Sequence, residues 1–157
     1  MQITRPLTAL ILVLALVAGA PGMALAQAAG HDGHSADVLE LVLNDGAKWQ
    51  GDQNMLTGMD AIHNVITANL DAVHDGTVTP EVTAAMAADV QTQLDFMIEN
   101  CELEPEVDEQ FHHVLGQVMD GVASLEEGEA VPGASAIIAA LNAYGAHFEH
   151  PGWQAID

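Results

Sequence analysis

Four segments far apart in the chain carry most of its sulfur and imidazole groups. They are Asp52–His63 with Met55, Met59 and His63, then Met97–Cys101, Phe111–His113 and Tyr144–His150. Thioether, thiolate and imidazole together make the ligand set of a soft or borderline metal, copper above all. The single Cys cannot close an internal disulfide, so Cys101 is a buried thiol, a metal or cofactor ligand, or an intermolecular crosslink. The chain lacks Cys-x-x-Cys-His for covalent haem, His-Glu-x-x-His, Gly-x-Ser-x-Gly and a phosphate-cradling Gly loop. Neither a nucleophile–base–orienter set nor a spaced carboxylate pair stands out, so no catalytic residues are assigned and a non-enzyme is expected.

The elements that must position these groups read as helices throughout. Asp52 is an N-cap, and Leu56, Met59, His63, Ile66, Leu70 and Val73 recur at alternating three- and four-residue steps over a helix from about Gln53 to His74. Thr79-Pro80 opens a second helix, Thr as cap and Pro at its first position, with a seam of Ala87, Val90, Leu94, Met97 and Cys101. Glu104-Pro105 opens a third, with Glu106 and Asp108 suiting its positive end and Val107, Phe111, Val114, Val118, Val122 and Leu125 as its buried stripe. After a turn over Glu126–Pro132, a fourth helix from about Gly133 to Phe148 buries Ile137, Leu141, Tyr144 and Phe148 and stops before Pro151. Before them, Val38–Leu43 reads as a short helical turn ended by Asn44-Asp45-Gly46. The expected fold is all-α: an antiparallel up-down-up-down four-helix bundle over residues 37–157, with that short N-terminal helical turn.

In such a bundle the start of helix 1, the end of helix 2, the start of helix 3 and the end of helix 4 share one pole. At about 1.5 Å per residue, Cys101 lies near the pole, His147 and Met97 at roughly 3 and 6 Å, Met59 and His112 at about 10 Å, and His63 at about 15 Å. Cys101, His112, Met59 and His147 are therefore the first candidate metal ligands, with Met97 and His63 behind them. His113 points to solvent, and Trp49 and Trp153 are expected to cover the pole as a hydrophobic lid.

Residues 1–28 read as an export signal: Arg5 supplies positive charge, Leu7–Val17 is apolar, and small residues allow cleavage after Ala26 or Ala28. Residues 29–36 are then a polar lead-in. Cleavage after Ala28 would leave Ala29-Gly30-His31 at the amino terminus, a square-planar nitrogen set for Cu(II) or Ni(II); otherwise His31 and His34 form a looser second metal site. The expected location is the periplasm, with no membrane insertion once the signal is removed. The chain has 23 acidic and 2 basic residues, a formal charge of −21 that becomes −22 when Arg5 leaves with the signal. Lys48 is then the only basic side chain, which excludes nucleic acid and anionic membrane surfaces as partners.

Several motifs resemble a family of small exported proteobacterial four-helix-bundle proteins whose function is not settled. They are Lys48-Trp49 with Asp52, Gly58-Met59, and Asn100-Cys101-Glu102-Leu103-Glu104-Pro105 with Asp108 and His112. The ending completes them: Leu141-Asn142-Ala143-Tyr144-Gly145, then Phe148-Glu149-His150-Pro151-Gly152-Trp153. The resemblance spans nearly all of the chain after the signal and implies a fold more than an activity. A looser one is to cytochrome b562 and cytochrome c′, which implies a non-covalent haem b between Met59 (or Met55) and His147.

Three functions are thus in play. The first is a periplasmic soft-metal binding bundle, with copper as the suspected cofactor, acting as carrier, buffer or sensor. The second is a b-type haem electron carrier resembling cytochrome b562. The third is an accessory or interaction protein with no ligand. The expected partner is the metal ion itself or a periplasmic redox or metal-handling protein, and the expected state is a monomer or homodimer.

Overall fold

The computed structural model describes residues 40–157; the signal, the lead-in and the His31/His34 site lie outside the described residues. The described part is helical: α1 Gln53–His74, α2 Pro80–Asn100, α3 Pro105–Glu126 and α4 Ala130–His147. Local chemistry sets most of the ends. The Asp52 side chain accepts from the Met55 N–H, Thr79 accepts from the Val82 N–H, and Pro80 and Pro105 occupy first-turn positions where no N–H is needed. Helix α4 begins three residues earlier than its sequence pattern suggests and takes in Pro132. Pro132 is tolerated because it falls in the first turn, whose N–H groups have no partner inside the helix.

α1 packs against α2 and α4, and α3 packs against α2 and α4. The stripes read on α3 and α4 are buried as expected, as are Ala87, Val90, Leu94 and Met97 of α2. α1 is rotated relative to its expected seam. Its buried face is Met55, Gly58, Met59, Ile62, Ile66 and Val73, while Leu56, His63 and Leu70 are only half-buried. Gly58 is the reason. A Cβ there would lie 2.3 Å from Cγ of Met97, so the bare backbone lets α2 approach α1 along that line. α3 and α4 meet the same way, Gly121 against Gly133: a Cβ on Gly121 would lie 2.8 Å from the Gly133 carbonyl oxygen.

The segment before α1 is not helical in its described part. Asn44 and Ala47 exchange both backbone hydrogen bonds (2.9 and 2.8 Å) across Asp45 (φ 50°) and Gly46 (φ 89°), a two-residue turn with both central residues left-handed. Gly46 is left-handed as the sequence suggests, but residues 40–43 before it are not helical. The Val42 N–H donates to Gln110 Oε1 and Val42 O accepts from Trp49 Nε1, so the Val42 backbone groups bond outside the segment rather than along a helix. The chain then runs beside the end of α4: the Trp49 N–H donates to His147 O (2.8 Å) and the Glu149 N–H to Trp49 O (2.9 Å). Among the described residues no helix is long and apolar enough to cross a membrane.

Candidate functional site

Asp52 sits at the centre of the region where the start of α1 meets the end of α2. One carboxylate oxygen accepts the Met55 N–H and the other the Glu102 N–H, each at 2.7 Å. The Cys101 thiol, on the residue that ends α2, lies beside the same carboxylate. Asn54 Nδ2 adds a bond to Asn100 O at 2.7 Å. Burial works to raise the Asp52 carboxyl, but these N–H donors and the nearby thiol outweigh it and hold it below its ordinary range. The thiol moves the opposite way. Desolvation, the Asp52 charge, the close approach of the Asp52 carboxylate and the nearby Asp108 charge push Cys101 up to about 12. Cys101 is half-buried rather than fully enclosed, so charge as well as burial restrains it.

One consequence is measurable. Against an ordinary thiol at 9.0, a value near 12 leaves about a thousandfold less thiolate at mildly alkaline pH. A thiolate of higher pKa is also more nucleophilic. Iodoacetamide labelling of folded Cys101 should therefore be slower than that of the urea-unfolded chain by at least about tenfold rather than by the whole factor, and should keep rising with pH past 9. Equal rates in the two states would show that Asp52 does not restrain the thiol.

The methionines lie underneath. Met55 and Met59 are fully buried and Met97 nearly so, with the Met55 side chain over Gly51 and Met97 over Gly58. The imidazoles are held one by one. Nδ1–H of His112 donates to Asp108 O (2.8 Å), with an Asp108 carboxylate oxygen 3.4 Å away, and Nδ1–H of His147 donates to Ala143 O (2.8 Å). A carbonyl only accepts, so in the neutral ring these bonds place the proton on Nδ1 and leave Nε2 with a lone pair. The His112 side chain is 69% exposed, and His113 is exposed as expected. His63 does not lie in the seam. It stands on the rim of α1, its Nε2–H donating to Gln154 O (2.9 Å) and its ring edge-on to Trp153.

Among the described residues no three His, Cys, Asp or Glu side chains form a group ready to hold a metal ion. What the fold does place close together is the thiol of Cys101, the carboxylate of Asp52 and the charge of Asp108, with His112 on the same turn of α3 as Asp108.

A second constellation escaped the sequence reading. His150, its side chain 5% exposed, joins Tyr144 to Asp60: Nε2 lies 3.2 Å from the Asp60 carboxylate and Nδ1 2.9 Å from the Tyr144 hydroxyl. Since Asp60 only accepts, the neutral ring donates from Nε2 and takes the Tyr144 O–H at Nδ1. Burial and the negative field of Asp60 and Cys101 push the Tyr144 phenol upward, so it remains the donor. Trp153 packs on this chain, 4.9 Å from both the Tyr144 and His150 rings between centroids, and Tyr144 in turn stacks on Phe148 at 5.1 Å. The available signal was the Pro151-Gly152 turn after His150: Gly152 has φ 86°, and the turn folds Trp153 back over Gly145. Trp153 and Trp49 are both partly buried and packed against the core.

Comparison of the chain with family models, with curated proteins and with solved structures returns no match.

Proposed function

We propose that this chain is an exported, non-enzymatic binding protein for a soft cation, copper first, built as an antiparallel up-down-up-down four-helix bundle working in the periplasm. The bundle reading is supported by the short links between helices and by bonds among their ends. Asp52 at the start of α1 reaches Glu102 after α2, Trp49 reaches the end of α4, and the Val42 N–H reaches Gln110 near the start of α3.

The observation that carries the metal reading is the Cys101 thiol set against Asp52 within the field of Asp108. The negative charge that keeps a proton on sulfur equally favours a cation in the proton's place, and binding would release that proton. The exposed His112 side chain brings an Nε2 lone pair on the same turn as Asp108, and His147 offers a second from α4. Met59 and Met97 lie in the core beneath, so they would serve only on opening of the α1–α2 contact. The role is that of a carrier, buffer or sensor serving a redox or metal-handling partner.

Under reducing conditions, Cys101→Ser and His112→Ala should each weaken Cu(I) binding in a chelator competition by more than about tenfold, roughly 1.4 kcal/mol. Affinity should also fall as pH drops, because protons compete for sulfur and imidazole. Reducing conditions keep the amino-terminal His31 and His34 from contributing a Cu(II) site. Lower thermal stability in both variants with unchanged affinity would overturn the metal reading.

One observation favours a ligand-free accessory role instead. His63, His112, His147 and His150 each already have an internal hydrogen-bond partner. Elemental analysis of the protein as produced separates the two readings, near-stoichiometric copper supporting the first. Haem b is the reading with least support. Met55 and Met59 are fully buried, and the Phe111, Tyr144 and Phe148 rings pack on one another beside the end of α4, where a porphyrin would have to enter. A Soret band in the purified protein would reinstate it.

A further inference from the structure

A recess of about 240 Å³ opens between α1 and the carboxy-terminal segment, lined by Asp60, His63, Asn64, Gly152, Trp153 and Gln154. We propose that it binds a small organic ammonium ion, held by the Asp60 carboxylate against the Trp153 indole. The site is separate from the Cys101 region and does not depend on metal binding there.

The walls are fixed before any ligand arrives. Gly145 carries no side chain where a Cβ would lie 2.3 Å from the Trp153 ring, so the indole seats directly on α4. The His63 and His150 rings pack against it with centroids 4.9 Å away in each case. The bond from His63 to Gln154 O ties the carboxy-terminal segment to α1. A preformed aromatic wall loses little on binding, which is what a small ligand with few contacts requires.

The chemistry selects the charge and the class of the ligand. Asp60 is the only carboxylate lining the recess, its side chain is 62% exposed, and His150 binds only one of its oxygens. An acidic chain of net charge −21 concentrates cations around such a carboxylate and repels anions. A metal ion suits the recess poorly. Both nitrogens of His150 are engaged, and Nε2 of His63 carries the proton that Gln154 accepts, so too few lone pairs converge. A diffuse organic cation needs no lone pairs, only a counter-charge and a π face, and indole is the best such face among side chains. The volume is below the ~300 Å³ at which drug-sized pockets begin, so the ligand is small.

Choline and its uncharged isostere 3,3-dimethylbutan-1-ol serve as probes, each titrated into the full-length protein by calorimetry and by proton NMR of the His63 and Trp153 rings. Choline should bind saturably with shifts at both rings, and the isostere should bind at least about tenfold more weakly. Asp60→Asn, which keeps an oxygen for His150, should weaken choline at least tenfold with helix content unchanged. Equal affinity for choline and isostere, no saturation at millimolar choline, or ring shifts confined to residues outside the recess would each overturn the proposal. The choline–isostere comparison uses the unaltered protein, so it stands even where the variant fails to fold.

Discussion

Gly121→Ala and Gly116→Ala, five residues apart on α3, should change stability in opposite directions. At Gly121 an added Cβ would stand 2.5 Å from Ile137 Cγ1 and 2.8 Å from the Gly133 carbonyl oxygen. The second contact is with backbone, which cannot swing aside as a side-chain tip can, so α3 and α4 must separate locally. Overpacking of this kind costs about 3 kcal/mol, or about 10 °C in Tm for a helical region of this size. At Gly116 a Cβ meets nothing within 4 Å, and the position is exposed and mid-helix. There the loss of backbone freedom in the unfolded chain dominates, and alanine should stabilise by about 0.5–1 kcal/mol. Thermal unfolding of the two variants beside the parent checks both signs. A neutral Gly121→Ala would mean that the α3–α4 contact is looser than its geometry.

Asp52→Ala should have the second large effect, because one carboxylate does three jobs. It caps α1, it accepts the Glu102 N–H just after α2, and its charge raises the Cys101 thiol. Loss of the cap alone costs about 1 kcal/mol, and loss of the charge-assisted bond from the Glu102 N–H raises the total to about 2 kcal/mol. Cys101 alkylation should accelerate in the same variant, since two of the four causes that raise the thiol disappear with Asp52. Asp52→Asn is the informative intermediate: its one side-chain oxygen keeps the α1 cap or the Glu102 bond but not both, and it carries no charge.

The pH dependence has a definite sign at each end. The Asp52 carboxyl is lowered by folding, so its contribution is present above its ordinary value of 3.8 and is lost as pH falls through the lower folded value. The Cys101 thiol is raised, so its contribution is complete below about 9 and is lost as pH rises toward 12. Urea unfolding of the parent and Asp52→Ala across this range should show their stabilities converging at the acid end. A constant difference down to strongly acidic pH would show that the carboxylate charge contributes nothing.

What could be read from the sequence about this fold was local. The starts of α1, α2 and α3 follow from Asp52, Thr79-Pro80 and Pro105, because a cap bonds N–H groups two or three residues away and a first-turn proline needs no partner at all. The stripes of α2, α3 and α4 were legible because one apolar face per helix is a periodic pattern. The phase of α1 was not. Gly58 has no side chain to enter an apolar count, and only the approach of Met97 from α2 shows that the bare position faces inward.

The candidate site divides the same way. Cys, Met and His could be named as the residue types that bind soft cations, and helix order could bring them toward one end. Their states belong to the tertiary structure, since a thiol or imidazole takes its charge and tautomer from whichever group lies against it. Cys101 keeps its proton because burial and the charge of Asp52, 49 positions earlier, both disfavour the thiolate. His150 is a buried joint because Asp60 and Tyr144 close on its two nitrogens from α1 and α4. The Asp52–Cys101 and Asp60–His150 pairings join residues far apart in sequence, and no periodicity or propensity encodes them; the packing of the helices decides them.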